Sequence, residues 1–304
     1  MVPRPGGIDS CHTMKNLSVK NKNQMENARI NSIVLFGTGN VGAHLAHVIS
    51  ESGFDLRQIY SRNPEHASEI ALPINARAIS DLKDADTSAD LWLISVTDEA
   101  IPSIVQELPD FNGIVAHTAG SISIDVLDRF RNHGVFYPFQ TLSKSREIDF
   151  SEVPLLVEGN NSETTQKLLR LAGVLSANVS EADSSLRARL HIAAVLACNF
   201  VNHLYTLSSD LLEEEGLSFK YLTPLIKETT RKVRYISPRD AQTGPAIRND
   251  QKVMEKHIEQ LRNKPRLQEI YRLLSHDILQ YHKGETGKPV QYSSDDSESS
   301  DESG

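Results

Sequence analysis

The most constraining stretch of the chain is Ile33-Val34-Leu35-Phe36-Gly37-Thr38-Gly39-Asn40-Val41-Gly42, an apolar run that ends in Gly-x-Gly-x-x-Gly. It passes directly into Ala43-His44-Leu45-Ala46-His47-Val48-Ile49, whose apolar residues recur at helical spacing. The order is strand, tight turn, helix. In that context Gly37 permits the turn, Gly39 lets backbone amides approach a pyrophosphate, and Gly42 lets the helix pack close to the strand. Phosphates would meet the unpaired N–H groups of the helix N-terminus, where the macrodipole favours negative charge. The expectation is a dinucleotide held along Gly37, Thr38, Gly39, Asn40, Val41 and Gly42. A Gly-rich turn in another α/β protein is the alternative.

The next elements decide which dinucleotide. Leu56–Tyr60 reads as the second strand and ends in Ser61-Arg62-Asn63. A site selective for NAD places Asp or Glu about 20 residues past the glycines, against the ribose 2′-hydroxyl. Here a hydroxyl and a guanidinium stand instead, so Arg62 can grip a 2′-phosphate bidentately while Ser61 donates to it. NADP (as NADPH) is therefore expected over NAD. The alternative is an exposed Arg that opens a helix at Pro64–Ile70.

Ala89–Val96 is a continuous apolar run of the kind buried on both faces of a parallel sheet. Ligands of doubly wound sheets meet the loops at the strands' carboxyl ends, which puts Val96 and Thr97 beside the nicotinamide ribose. Asp98 reads as an N-cap for the helical pattern Ala100–Leu108. Gly113–Ala116 is the next strand and leads into His117, Thr118, Ala119, Gly120 and Ser121. That loop faces the same crevice. His117 is a candidate acid/base because imidazole titrates near neutrality, with hydrogen-bonded structure as the alternative. Strands over Gly134–Gln140 and Val153–Val157, a helix over Ser162–Leu171 and a strand near Asn178–Ser180 complete this domain.

From Asp183 the pattern changes. Ser184–Glu215 carries apolar residues at helical spacing without Pro or Gly until Gly216, which predicts one helix of roughly 45 Å. Asp183 or Ser184 is its N-cap, and Cys198 is expected in its buried part. Helical patterns follow over Phe219–Ile236, Gln251–Asn263 and Pro265–Tyr281. Thr243-Gly244-Pro245 forces a turn before Arg248, a candidate for holding a substrate anion, and Asp250 suits an N-cap. The fold class is thus α/β: a Rossmann-type doubly wound sheet followed by an all-α domain.

Four segments are expected: a disordered leader at 1–30, a dinucleotide-binding domain at 31–182, a helical substrate and dimerisation domain at 183–282, and a disordered acidic tail at 283–304. Met25 is a candidate start. The net charge of −8 gathers partly in the tail, whose serines lie among acids, and no basic stripe suggests nucleic acid. The only cysteines, Cys11 and Cys198, form neither a disulfide framework nor a zinc motif, so no metal is expected and a cytoplasmic location is. No apolar run is read as approaching the ~18 residues that span a bilayer.

Several stretches carry a resemblance: Gly37–Gly42, His117-Thr118-Ala119-Gly120, Tyr137-Pro138-Phe139-Gln140, His191–Phe200 and Thr243–Asp250. Over about Ile33 to His282 the chain resembles Rossmann-like NADP oxidoreductases that carry an uncharacterised C-terminal helical domain. That family is related to pyrroline-5-carboxylate reductases, deazaflavin-dependent NADP oxidoreductases and β-hydroxyacid dehydrogenases. The resemblance implies a fold and a cofactor rather than a substrate. In the β-hydroxyacid dehydrogenases a Lys precedes an Asn by four residues on the first long helix of the second domain. Asn199 matches that Asn, but Val195 stands at the Lys position and cannot transfer a proton. His191, one turn earlier on the same face, is the candidate substitute.

The resulting expectation is an NADPH-dependent reductase acting on an imine or another easily reduced carbon. Its cleft would be lined by Thr97, His117, Ser121, Asn199, Thr243 and Arg248, with a substrate carboxylate paired to Arg248. The competing expectation is a protein that senses NADP or is scaffolded by it. Related helical domains dimerise, and the long apolar helix exceeds what a lone domain needs, so a homodimer is expected.

Overall fold

The computed structural model describes residues 29–284. Most of the leader, with Cys11 and Met25, and the acidic tail with its serines lie outside the described residues. Ile30, counted with the leader from sequence, is in fact only 4 % exposed and belongs to the core.

The chain divides into two compact units that meet between Asn199 and Phe200. The first is built on eight strands: β1 (Ser32–Phe36), β2 (Asp55–Tyr60), β3 (Arg77–Ile79), β4 (Leu91–Ile94), β5 (Ile114–His117), β6 (Asn132–Pro138), β7 (Leu155–Gly159) and β8 (Val179–Glu181). Their order is β3-β2-β1-β4-β5-β6-β7-β8. Every pairing is parallel except β6 with β7, which is antiparallel in the register Phe136 to Val157. The first six strands have the Rossmann order, with the topological switch point between β1 and β4.

Alternation along the strands makes two cores. Ile33, Leu35, Leu91 and Leu93 pack on one face with Leu45, Ala46 and Ile49 of α1 (Asn40–Glu51) and with Leu168 and Leu171 of α4 (Ser162–Leu175). Val34, Phe36, Trp92 and Ile94 pack on the other face with Ile101, Ile104 and Val105 of α3 (Ile101–Glu107). Trp92 lies flat on Phe111 at 3.9 Å between ring centroids. With both faces covered, β1 and β4 read as unbroken apolar runs. The short helix α2 (Pro64–Ala71) starts at Asn63, whose side chain accepts from Glu65 N.

The stretch predicted as one long α-helix is helical from Ser184 to Glu213 but is not α-helical throughout. It consists of α5 (Ser184–Ala194), a π-helical turn over Val195–Phe200, and α6 (Val201–Glu213). Asp183 caps it, its Oδ1 accepting from Leu186 N at 2.7 Å. Its first turns stay with the sheet because Arg187 is fully buried there, ion-paired to Glu158 and donating to Ile122 O. Cys198, expected to be buried, is exposed. By length and composition this helix is also long and apolar enough to cross a membrane, contrary to the reading of the sequence.

The second unit continues with α7 (Thr223–Lys232), α8 (Pro238–Ala241), α9 (Gln251–Gln260) and α10 (Pro265–Lys283). The pattern Phe219–Ile236 is broken at its start, where Phe219–Leu222 is a 3-10 turn and Pro224 opens α7. Asp250 caps α9 as expected, accepting from Val253 N. Among the described residues of this unit only Ala246 and Met254 are buried, while Tyr221, Leu225 and Tyr235 are 67 %, 61 % and 81 % exposed.

Candidate functional site

A crevice of about 720 Å³ opens at the carboxyl ends of β1, β2, β4, β5 and β6, all within the first unit. At its centre is the glycine turn. Gly37 has φ +117°, and a Cβ there would lie 2.1 Å from Ser95 O. A Cβ on Gly42 would lie 2.3 Å from Gly37 O, so the helix can approach the turn only as glycine. A Cβ on Gly39 would meet nothing within 4 Å, because it would project into the open crevice. Gly39 is also the N-cap of α1, where no side chain caps the helix and no acid occupies the first turn. The N–H groups there are left for an anion. Ser95 Oγ, buried beside the turn, has no hydrogen-bond partner among the described residues. These features fit a pyrophosphate.

At the β2 end the crevice is lined by Tyr60, Ser61, Arg62, Asn63 and His66. Ser61 Oγ is held by Thr38 Oγ1 and by Asn63 N, both at 3.3 Å. Lys144 also lines the crevice, its backbone N–H donating to Asn40 Oδ1 at 3.2 Å. The only carboxylate on the lining is Asp98, against Arg62, Lys144 and two histidines. Such a lining favours a polyanionic ligand.

The opposite end holds Val96, Thr97, Asp98, Thr118, Ala119, Gly120, Tyr137 and His191. Tyr137 Oη and His191 Nδ1 are 3.0 Å apart, and their rings meet edge to face at 6.2 Å. Both press on Gly120, where a Cβ would come within 2.8 Å of either side chain. Burial raises the Tyr137 phenol above its ordinary range, the Asp98 charge adds to this, and Arg187 opposes it. Tyr137 is therefore a neutral phenol near neutrality.

The candidates read from sequence separate accordingly. Gly37, Thr38, Gly39, Asn40, Val41, Ser61, Arg62, Val96, Thr97, Thr118, Ala119, Gly120 and His191 line the crevice, with Gly42 directly behind the turn. Asp98 does not cap a helix: Thr97 takes the N-cap position, and Asp98 Oδ2 accepts from Ser121 Oγ. Ser121 is exposed and touches the crevice only through that bond.

His117 has the environment of the alternative reading, hydrogen-bonded structure. It is fully buried, with Nδ1 accepting from Ala119 N at 3.2 Å and Nε2 directed at Ser123 O at 3.4 Å. Burial, helped by the Arg187 charge, pushes it down to about 4. A neutral imidazole with both nitrogens engaged organises the loop and has no free position for acid/base work. Asn199 is exposed in the π-helical turn and is absent from the crevice lining. The wider π turn breaks the i, i+4 stacking that placed it over Val195. Thr243 and Arg248 belong to the second unit, in the turn ahead of α9 where Asn249 has φ +53°.

Residues 32–127 match the family described as NADP oxidoreductase, coenzyme F420-dependent, and residues 153–278 match a domain of unknown function, DUF2520. The crystal structure of a putative NADP oxidoreductase from Bacteroides fragilis is 41 % identical over 83 % of this chain and 99 % of that one, with a TM-score of 0.77. The chain belongs to this family of NADP oxidoreductases with a DUF2520 C-terminal domain. A protein from Thermotoga maritima, 18 % identical over 83 % of this chain and 99 % of its own, superposes with a TM-score of 0.63. A reductive aminase from Aspergillus terreus, solved with NADPH and ethyl-5-oxohexanoate, is 16 % identical over 86 % of this chain and 96 % of its own, with a TM-score of 0.59. At those identities the likeness is one of fold. No curated protein matches the sequence.

Sequence reasoning missed Ser95, His66, Lys144 and Tyr137. Tyr137 was read only as part of a strand and of a stretch that carries the resemblance; the signal available was its place at that strand's carboxyl end, where a polar atom reaches the crevice.

Proposed function

We propose that the protein is an NADPH-dependent reductase of a small substrate that carries an imine or another easily reduced carbon. The observation that carries the reading is one crevice with phosphate-binding features at its centre, Ser61 and Arg62 at one end, and a hydrogen-bonded phenol and imidazole at the other. The dinucleotide would lie across Gly37–Gly42 with its pyrophosphate on the N-terminus of α1. Its 2′-phosphate would be held by Arg62 and Ser61, with His66 adjacent. When bound, NADPH supplies the hydride; the chain supplies position, charge and a proton.

The experiment is absorbance-monitored oxidation of NADPH by the purified protein with imines, 2-oxo acids and aldehydes, alongside NADPH binding by calorimetry. Binding with turnover supports the reductase. Binding without oxidation by any substrate would favour the non-catalytic NADP-binding protein, to which Val195 in place of a lysine also points. We further propose a homodimer. Its support is the scarcity of buried residues among the described residues of the helical unit and the exposure of Ile192, Leu196 and Phe200, each more than half exposed.

A further inference from the structure

We propose that Tyr137 is the proton donor of this crevice, that His191 positions and reprotonates it, and that the reducible group is accordingly a carbonyl, C=O. The inference rests on the reductase reading and narrows it. Three observations meet at these two side chains. Both line the end of the crevice away from Ser61 and Arg62. The phenol oxygen and His191 Nδ1 share a hydrogen bond of 3.0 Å. The pair also rests on the bare Cα of Gly120, which leaves no room for either ring to swing towards that loop.

Two charges face the pair from neighbouring elements. Asp98, on the loop after β4, lines the same crevice, and Arg187, one turn before His191 on α5, is buried against Glu158. The carboxylate and the burial of the ring both disfavour phenolate, so Tyr137 holds its proton until an acceptor more basic than itself appears. A preformed iminium ion carries its own proton and needs no such donor, and a neutral imine is basic enough to take that proton from water before it is reduced. A carbonyl does, because its oxygen becomes an alkoxide as the carbon is reduced.

With NADPH bound, the cofactor would supply hydride to the carbonyl carbon, the π electrons of C=O would move to oxygen, and that oxygen would take the proton of Tyr137 Oη, which balances as an alcohol and NADP⁺. The phenolate is then reprotonated through His191 Nδ1. Nε2 of the same ring meets no hydrogen-bond partner among the described residues and takes up a proton from solvent as Nδ1 gives its own to the phenolate, so the ring stays neutral throughout. Tyr137 would touch the substrate and act as the general acid, whereas His191 acts through Tyr137.

The test has a spectroscopic arm and a kinetic arm. In ¹⁵N-histidine-labelled protein, Tyr137→Phe is expected to shift the Nδ1 resonance of His191, assigned by its loss in His191→Ala. An unchanged Nδ1 resonance overturns the pairing. In the kinetic arm, NADPH-loaded protein is offered benzaldehyde, cyclohexanone, 9,10-phenanthrenequinone and pyruvate beside a cyclic imine. Reduction of a carbonyl probe is expected, with kcat falling about 100-fold in Tyr137→Phe and KM moving less than about threefold, as loss of a general acid requires. His191→Ala is expected to fall similarly, and His191→Asn, whose amide can hydrogen-bond the phenol but cannot relay a proton, to recover only the part of the loss that positioning accounts for.

Retention of kcat in Tyr137→Phe overturns the inference, as does reduction of the imine alone or of none of the carbonyls. Failure of the protein to bind NADPH withdraws the reductase reading itself. The two failures are therefore told apart by calorimetry.

Discussion

In the proposed reading Arg62 selects the nucleotide, because no carboxylate lines the crevice at the β2 end to bind a ribose hydroxyl or repel a phosphate. A charge-assisted hydrogen bond is worth about 1.5–3 kcal/mol, so Arg62→Ala should weaken NADPH by roughly 10- to 100-fold and leave NADH nearly unchanged, as read by calorimetry. His117 carries a prediction of a different kind. Its folded-state pKa of about 4 lies below the ordinary 6.5, so as pH falls through that window the unfolded chain binds the proton first. The stability that His117 lends is whole above pH 6.5 and is lost on acidification towards 4, by at most roughly 3 kcal/mol. Urea unfolding should show that this acid loss is smaller in His117→Asn, which keeps an acceptor for Ala119 N but does not titrate. Equal acid sensitivity in the two proteins would place the titrating group elsewhere.

At the scale of elements, the glycine turn separates folding from binding. Gly39→Ala puts a methyl where a pyrophosphate would lie and where no protein atom stands within 4 Å. It should leave the thermal midpoint within a few degrees and weaken NADPH by at least about tenfold, or about 1.4 kcal/mol. Gly42→Ala drives its methyl into Gly37 O and should lower the midpoint itself, as differential scanning fluorimetry would record.

The turn was legible in the sequence because its chemistry is local: three glycines, a strand before and a helix after. The strands β1, β4 and β5 were legible for a related reason, since burial on both faces leaves unbroken apolar runs. The same burial hid the fate of His117, because an apolar strand does not say which face of the sheet its last residue meets. The three residues of β3, Arg77–Ile79, form a run too short to show a period, and their pairing to β2 is set by tertiary contact. The π-helical turn was also illegible. A change of hydrogen-bond register leaves the apolar spacing along the chain almost untouched, yet it moves Asn199 off the line expected from Val195.

For the whole molecule, the contrast between the units carries the argument. The sheet unit buries two full cores, whereas the helical unit, among its described residues, buries Ala246 and Met254 and leaves large apolar side chains in solvent. Large exposed apolar surface is a mark of interaction sites. Light scattering is expected to give a homodimer, and Leu196→Glu, at one of these exposed side chains, to shift it towards monomer. A wild-type monomer would leave these side chains to another partner or, given the length and hydropathy of the helix Ser184–Glu213, to a bilayer.

The central claim, a phosphorylated nicotinamide dinucleotide seated on the glycine turn, is tested most directly by titrating NADPH and NADH separately into the wild-type protein and into Gly39→Ala in a calorimeter. The account predicts that the wild type binds NADPH at least about tenfold more tightly than NADH and that the substitution abolishes most of that binding. Binding of neither nucleotide at millimolar concentration, or binding indifferent to the substitution, would contradict it.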